Sequence, residues 1–99
     1  MSRVSLSDAA RADLRKIREF YELQDTGAGD YFITGAQESL RELQSIHGVH
    51  PKRFGLFRTL IPKFHHAVFY REHSDHTEVI AVVDMRRDPK WIRCQLRKR

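Results

Sequence analysis

Residues 64–72 read FHHAVFYRE, and residues 78–89 read EVIAVVDMRRDP. Both segments are rich in β-branched and aromatic residues, and the polar tripeptide Ser74-Asp75-His76 lies between them. We therefore predict two adjacent strands, at about 64–72 and 77–85, joined by a short turn. Residues 79–83 are apolar at every position, which is typical of a central strand that is covered on both faces. This pair of strands forms the centre of the predicted sheet.

The first half of the chain predicts two amphipathic helices. Ser7 is a suitable N-cap, and Asp13 falls on the polar face of the helix that follows it. The apolar stripe of this first helix is Ala10, Leu14, Ile17 and Tyr21, with Phe20 and Leu23 beside it. Residues 25–30 break the helix, and a second stripe follows: Ile33, Ala36, Leu40 and Leu43, flanked by Phe32 and Ile46. Because the connecting loop is short, we expect the two helices to form an antiparallel hairpin.

The remaining elements complete the element order β-α-α-β-β-β-α. Residues 3–6 predict a short first strand, and residues 56–61 predict the strand that precedes the central pair. Asp88 and Pro89 are suited to the N-cap and first turn of a closing helix. Three consecutive strands joined by short turns form an antiparallel meander. The sequence thus predicts one α+β domain over residues 1–99, with the helical hairpin packed on an antiparallel sheet.

Charge is distributed unevenly along the chain. The 99 residues carry a net charge of +5. Residues 1–50 contain six basic and eight acidic side chains, a net of −2, whereas residues 51–99 contain twelve and five, a net of +7. Such asymmetry favours an acidic or polyanionic partner on one side of the fold, with a merely soluble basic surface as the alternative.

Several classes of protein are disfavoured by the composition. No apolar run approaches the roughly 20 residues that cross a membrane, and the first residues lack the apolar region of a signal peptide. The single cysteine, Cys94, excludes an internal disulfide and a Cys-rich zinc site. His73 and His76 flank a turn but lack a third metal ligand. We expect a cytoplasmic protein without a metal or cofactor and without a membrane partner.

Five segments together resemble the RelE/ParE family, the toxins of bacterial type II toxin–antitoxin pairs. They are LSDAARADL at 6–14, Phe20-Tyr21, HPKRFGLFR at 50–58, AVFYR at 67–71 and VVDMRRDP at 82–89. Their shared order and spacing carry the resemblance, which covers about residues 4–98. The resemblance implies a helical hairpin, a meander and a closing helix, and it implies a cognate antitoxin as partner.

The family has two branches with different activities. RelE-like members cleave messenger RNA on the ribosome, whereas ParE-like members poison DNA gyrase. Cleavage of RNA by a small metal-free protein needs a base, cations on the scissile phosphate and an acid for the leaving oxygen. Where RelE-like nucleases carry an arginine in the third strand, this chain has Ala67, and neither Tyr nor His follows His76. Residues 85–89, MRRDP, resemble the ParE-like signature.

The sequence therefore predicts a ParE-like toxin that is not itself an enzyme. Its expected target is DNA gyrase, and a ribosome-dependent mRNA endonuclease is the alternative. The residues expected to bind the target are Arg58, Arg71, Arg86, Arg87, Trp91 and Arg93. Under the alternative, the catalytic candidates are His65, His66, Arg58 and Arg87. Salt bridges are an equally open role for Arg58 and Arg71, with Glu72, Glu78 or Asp84 as possible partners.

Two further expectations concern surfaces. The chain has more large apolar side chains than a two-layer core of this size readily hides, which suggests that a partner covers some of them. The residues expected to bind the antitoxin are Phe20, Tyr21, Leu23, Phe32, Phe54 and Phe57. The C-terminal part from Arg86 onward is expected to serve activity more than stability. Removal of residues 93–99 is therefore expected to abolish growth arrest and to leave a folded protein that still binds the antitoxin.

Overall fold

The elements of the fold follow the predicted order, with one addition. The computed structural model describes residues 2–99. Its elements are β1 (Arg3–Leu6), α1 (Asp8–Gln24), α2 (Ala28–Glu42), β2 (Lys52–Arg53), β3 (Leu56–Leu60), β4 (His66–Glu72), β5 (His76–Asp84) and α3 (Pro89–Arg97). The predicted α+β fold is confirmed. The two-residue strand β2 is the addition, and it forms a tight hairpin with β3.

The sheet is mixed, although the meander is antiparallel as predicted. The strand order is β1-β5-β4-β3-β2. Strand β1 runs parallel to β5, with Arg3 opposite His76 and Leu6 opposite Val79. The chain reaches β5 from β1 only after the two helices and strands β2, β3 and β4, and such a long crossover permits a parallel pairing. A four-residue strand carries no sequence signal for the direction of its neighbour.

A β-bulge in the central strand re-aims its side chains. Phe69 pairs with Ala81 and Tyr70 pairs with Val79, so Ile80 is an extra residue in β5. Because of the bulge, Val79 and Val82 both pack toward the helical hairpin although they are three residues apart. Ile80 packs on the opposite face of the sheet.

The sheet separates two hydrophobic cores, so the domain has three layers. On one face, α1 and α2 pack over Val68, Tyr70 and Val82. On the other face, α3 inserts Ile92 and Leu96 against Phe69 and Val83, among others. Trp91, on the same helix, remains partly exposed.

The buried stripe of α2 agrees with the prediction at Ala36 and Leu43 and differs from it by one residue at the other two positions. Phe32, Ala36, Ser39 and Leu43 are buried, whereas Ile33 and Leu40 lie at the margin. The ring of Phe32 fills the space between the hairpin and the sheet, which makes it the centre of the stripe. The helices approach closely at Gly29, where a Cβ atom would lie 2.7 Å from the Arg18 carbonyl oxygen. This close approach explains why glycine occupies the first turn of α2.

Asp13 lies in a buried contact between layers, so its predicted place on the solvent face is wrong. Its Oδ2 accepts a hydrogen bond from the Val82 backbone N–H at 2.9 Å. Both carboxylate oxygens accept hydrogen bonds from the Arg99 guanidinium. Arg99 also donates to the Ile80 carbonyl, which the bulge leaves available. This contact joins α1, β5 and the residue beyond α3.

The segment 93–99 is therefore structural in part, which corrects the expectation that it could be removed. Leu96 belongs to the core under α3, and Arg99 bonds Asp13. The Asp13 carboxylate raises the pKa of the Arg99 guanidinium, mainly through their hydrogen bonds. Removing the segment would expose the α3 face of the sheet and leave Asp13 without its cation.

We predict that Asp13→Ala lowers the free energy of unfolding by about 2–4 kcal/mol, because it leaves Arg99 and the Val82 N–H without their partner. Urea unfolding followed by circular dichroism measures this. Arg99→Ala should show a similar loss, and the double variant should lose less than the sum of the two. Arg97→Ala, at an exposed neighbour, is the control and should change stability little. If the double variant lost the full sum of the two single losses in unfolding free energy, Asp13 and Arg99 would not interact in the way described.

Candidate functional site

Four arginines lie with Phe54 on the α3 side of the sheet, and we call Arg53, Phe54, Arg58, Arg71 and Arg93 the arginine face. Arg53 lies 5.0 Å and Arg93 lies 5.5 Å from the Phe54 ring centroid. Arg58 is opposite Phe69, whose side chain packs under α3, and Arg71 is two residues further along the same strand. Alternation of side chains along strands places both arginines on this face.

The guanidinium groups of the arginine face have no acidic partner within residues 2–99. The ion pairs of the described residues involve other arginines: Arg3, Arg18, Arg86 and Arg99. Arg71 is opposite Glu78, but the Glu78 carboxylate bonds the His73 ring at 2.9 Å. Salt bridges, the open alternative for Arg58 and Arg71, are thus absent from the structure described here.

The turn that carries Phe54 has an unusual backbone. Phe54 has φ +55° and Gly55 has φ +81°, a combination that fits the tight turn between β2 and β3. Glycine tolerates such angles, whereas a bulky aromatic residue rarely adopts them. The flanking arginines and the contact of Phe54 with Phe69, at 6.4 Å between ring centroids, hold the ring in place. A strained aromatic residue at the centre of a charged face marks this turn as a candidate functional element.

The other predicted target-binding residues lie elsewhere. Arg86 forms two side-chain hydrogen bonds with Asp84, and this contact lowers the pKa of the Asp84 carboxyl to about 2. Arg87 stacks on Trp91, with 3.7 Å between the guanidinium carbon and the ring centroid. Arg87 and Trp91 line a cleft of about 190 Å³ between α1, the end of β5 and α3. Of the six predicted residues, three therefore belong to the arginine face and two to the cleft, and Arg86 belongs to neither.

His66 forms the buried wall of this cleft. It is 4% exposed and packs edge-to-face against Tyr21 and Phe32. Its Nδ1 has no hydrogen-bond partner among the described residues. Burial lowers the pKa of the His66 imidazole, because the charged form loses its hydration there. The ring is therefore held neutral near pH 7.

The four candidates for catalysis do not come together in one site. His66 lies on the hairpin side of the sheet, against Tyr21 and Phe32, whereas Arg58 lies on the α3 side. Arg58 lies opposite Phe69 in the neighbouring strand, and His65 precedes Phe69 by four residues. His65 is therefore displaced from Arg58 by roughly 13 Å in the direction of the strands. Only His66 and Arg87 share the same cleft. Ala67, where nuclease relatives place an arginine, is fully buried in the core under α3.

Exposed apolar side chains cluster at one end of the helical hairpin, and we call Phe20, Tyr21, Leu23, Tyr31 and Phe64 the hairpin patch. Phe20 is 55% exposed and Leu23 is 89% exposed, so neither widens the buried stripe of α1. The rings of the patch form a chain of contacts, from Phe20 through Tyr21 and Phe64 to Tyr31, with centroids 5.5–5.7 Å apart. The patch is a candidate contact surface because it is contiguous and apolar.

A groove of about 460 Å³ continues from the hairpin patch along α2. Gly35 forms part of its floor, and a Cβ atom there would lie 3.2 Å from the Phe64 ring. Glu38 and Glu42 give the α2 wall an acidic character, and Lys63 also lines the groove. The sequence analysis missed this groove, although Tyr31, Gly35, Glu38 and Glu42 occur at the spacing of one helical face.

The predicted antitoxin-binding set is dispersed, and one member must be withdrawn. Phe32 is fully buried in the lone domain, because its ring fills the core between Tyr21 and His66, and no partner can contact it. Phe54 lies on the other side of the sheet, in the arginine face. Phe57 is half-buried and stacks on Tyr70. Phe20, Tyr21 and Leu23 remain together in the hairpin patch.

Two other features of the described residues bear on function. No cluster of three or more His, Cys, Asp or Glu side chains in residues 2–99 is arranged to hold a metal ion. None of the helices in this part of the chain has the length and apolarity needed to span a bilayer.

The three-layer arrangement of helical hairpin, mixed sheet and closing helix defines a class of small α+β domains. The chain belongs to the ParE toxin family, since the family model described as ParE toxin of type II toxin-antitoxin system, parDE, matches residues 4–89. A solved chain from the chromosomal ParDE TA system from P. aeruginosa is similar in fold, with a TM-score of 0.75 and 15% identity. The similarity covers 85% of this chain and 96% of that one. No curated protein matches this chain.

We predict that His66→Phe makes stability less dependent on pH. Because the pKa of folded His66 lies below 6.5, the unfolded chain binds the proton more readily, and wild-type stability falls as the pH drops below 6.5. The variant should lack this fall between about pH 7 and pH 5. Urea unfolding at a series of pH values measures the difference, and His65→Phe, at an exposed neighbour, is the matched control. If the stability of wild type and of His66→Phe changed with pH in the same way, the lowered pKa of His66 would be contradicted.

Proposed function

We propose that this toxin arrests bacterial growth by blocking DNA gyrase in the cytoplasm, without enzymatic activity of its own, and that a cognate antitoxin neutralises it. One observation carries the choice of target. The groups that RNA cleavage needs are not assembled around a common point, since Arg58 and His66 lie on opposite sides of the sheet. A toxin without a proton-transfer site acts by binding.

The expected loss in the rate of RNA cleavage supports this proposal. Loss of a single group that stabilises charge in a transition state typically lowers a rate by ~10²–10³. The buried Ala67 offers no cation to a scissile phosphate. Trp91, the aromatic residue of the closing helix, has no proton to exchange near neutral pH. A nuclease that lacked both an arginine and a terminal acid would be very slow.

The alternative, a ribosome-dependent mRNA endonuclease, has one observation in its favour. His66 and Arg87 line the same cleft, and the His66 Nδ1 has no partner among the described residues. A neutral imidazole beside a guanidinium is a possible base and phosphate-binding pair.

The hairpin patch and its groove are the surface that we assign to the antitoxin. The patch is apolar, and the groove beside it carries Glu38 and Glu42, one helical turn apart on α2. An amphipathic helix with apolar residues on one face and basic residues at its margin fits both features. A segment of this kind would fold as it binds, because a short isolated helix is marginal in water.

We predict that expression of the toxin inhibits supercoiling and leaves messages intact. Purified toxin should inhibit supercoiling of a relaxed plasmid by gyrase, and toeprinting on translating ribosomes should reveal no cleavage at codon positions. The physical reason is the separation of Arg58 from His66 by the sheet.

The variants His66→Ala and Arg87→Ala discriminate between the two functions. Cleavage that is present in wild type and lost in both variants would overturn the proposal in favour of the nuclease. His65→Ala is the matched control for His66→Ala, since it lies at the neighbouring exposed position.

We predict that Leu23→Glu weakens antitoxin binding about 10–100-fold, because it places a charge in an apolar contact. Calorimetry with the polypeptide encoded beside the toxin gene measures the affinity. Val49→Glu is the matched control, since Val49 is also an exposed aliphatic residue but lies outside the patch. Equal affinity for Leu23→Glu and Val49→Glu would place the antitoxin elsewhere.

A further inference from the structure

We infer that the arginine face binds the backbone phosphates of duplex DNA. This inference deepens the proposed function, and it rests on that function in one respect, namely that the DNA is the segment held by gyrase. Binding of DNA by the isolated toxin is a separate matter that can be tested without gyrase.

The first support is the absence of charge compensation on this face. Arg53, Arg58, Arg71 and Arg93 have no carboxylate within 4.0 Å among residues 2–99. Four other arginines are paired, as with Arg18 and Asp30 at 2.7 Å, whereas the following also lack a salt bridge within the described part of the chain: Arg11, Arg15, Arg41, Arg87 and Arg97. What distinguishes the arginine face is that four unpaired arginines share it. A cluster of like charges without acidic partners repels itself, and a polyanion relieves that repulsion.

The second support is the arrangement of the four groups. They come from four different elements, β2, β3, β4 and α3, so they form an array over the sheet and not a single point. The Cα atoms of Arg58 and Arg71, on adjacent strands and two positions out of register, are about 8 Å apart by strand geometry. A spread array of cations matches a backbone that carries charge at regular intervals.

The third support is the identity of the cations. All four are arginines, whose planar guanidinium donates two parallel hydrogen bonds to a phosphate. Two of these groups are held over the Phe54 ring, and the tight turn fixes that ring. Fixed guanidiniums lose less side-chain entropy on binding than free ones do.

The face provides contacts to phosphates but no element that reads bases. A sheet surface with arginines and one aromatic ring lacks a helix or ribbon shaped for the major groove. We therefore expect binding that is independent of sequence, strongly dependent on salt and weak compared with that of a specific DNA-binding protein.

Fluorescence anisotropy with a short labelled duplex of arbitrary sequence tests the inference. If the four arginines neutralise three or four phosphates, the logarithm of the affinity should fall against the logarithm of the salt concentration with a slope of about −3 to −4. Each single variant, such as Arg58→Gln or Arg71→Gln, should make the slope about one unit less negative. The quadruple variant should lose binding at about 50 mM salt.

The matched control is Arg11→Gln with Arg15→Gln, which removes two exposed arginines from α1 on the other side of the sheet. This variant should bind DNA as wild type does. Thermal unfolding by circular dichroism establishes that the variants are folded. DNA binding that is absent in wild type, or equal in the quadruple variant and the control, overturns the inference.

Binding experiments with gyrase show whether the arginine face binds DNA or an acidic protein surface. Binding of the toxin to gyrase subunits without DNA should be unchanged in the quadruple variant, whereas binding to the gyrase–DNA complex should weaken. Loss of binding to the subunits alone would assign the face to an acidic protein partner and overturn the inference. Supercoiling inhibition by a toxin that fails to bind DNA would leave the proposed function intact while the inference falls.

Discussion

The Asp13 carboxylate is the contact on which the three layers of this domain depend. It accepts a hydrogen bond from the β5 backbone at Val82 and pairs with Arg99 beyond the end of α3. Strand β1 pairs with β5 only as far as Val79, so Asp13 and Arg99 cover the strand edge where β1 ends. The bulge at Ile80 makes this possible, since it directs a carbonyl oxygen toward Arg99. Together with the packing of Ile92 and Leu96, this contact holds α3, and with it Arg93, against the sheet.

The sequence predicted the meander because local patterns determine it. The continuous apolar run at 79–83 and the polar turn before it are enough to identify β4 and β5. The parallel partner of β5 and the bulge could not be predicted, since both depend on contacts between distant residues. Asp13 illustrates the same limit. Its spacing on α1 indicated a solvent-exposed residue, and only the tertiary structure supplies the backbone N–H and the guanidinium that it bonds.

In the candidate site, too, some features could be predicted from the sequence and others depend on the tertiary structure. The sequence identified Arg58, Arg71 and Arg93 as residues of interest from charge alone, but it could not group them with Phe54 or separate them from Arg87. Phe32 was misplaced because an apolar residue beside a helical stripe looks the same in sequence whether it is core or surface. Its burial depends on the position of Phe64, more than thirty positions further along the chain.

The hairpin patch and the arginine face lie on opposite sides of the sheet, which constrains how an antitoxin could block the target surface. An occupant of the patch does not by itself cover the guanidiniums. It could displace α3, but this would break the Asp13–Arg99 contact and expose Ile92 and Leu96, at a cost of several kcal/mol. It could instead continue around the domain. The shorter dimensions of the domain are 32 and 22 Å, so an extended segment that passes along both of them needs about sixteen residues. An acidic extension of that length would neutralise the arginine face without disturbing the fold, and this route is energetically the easier one.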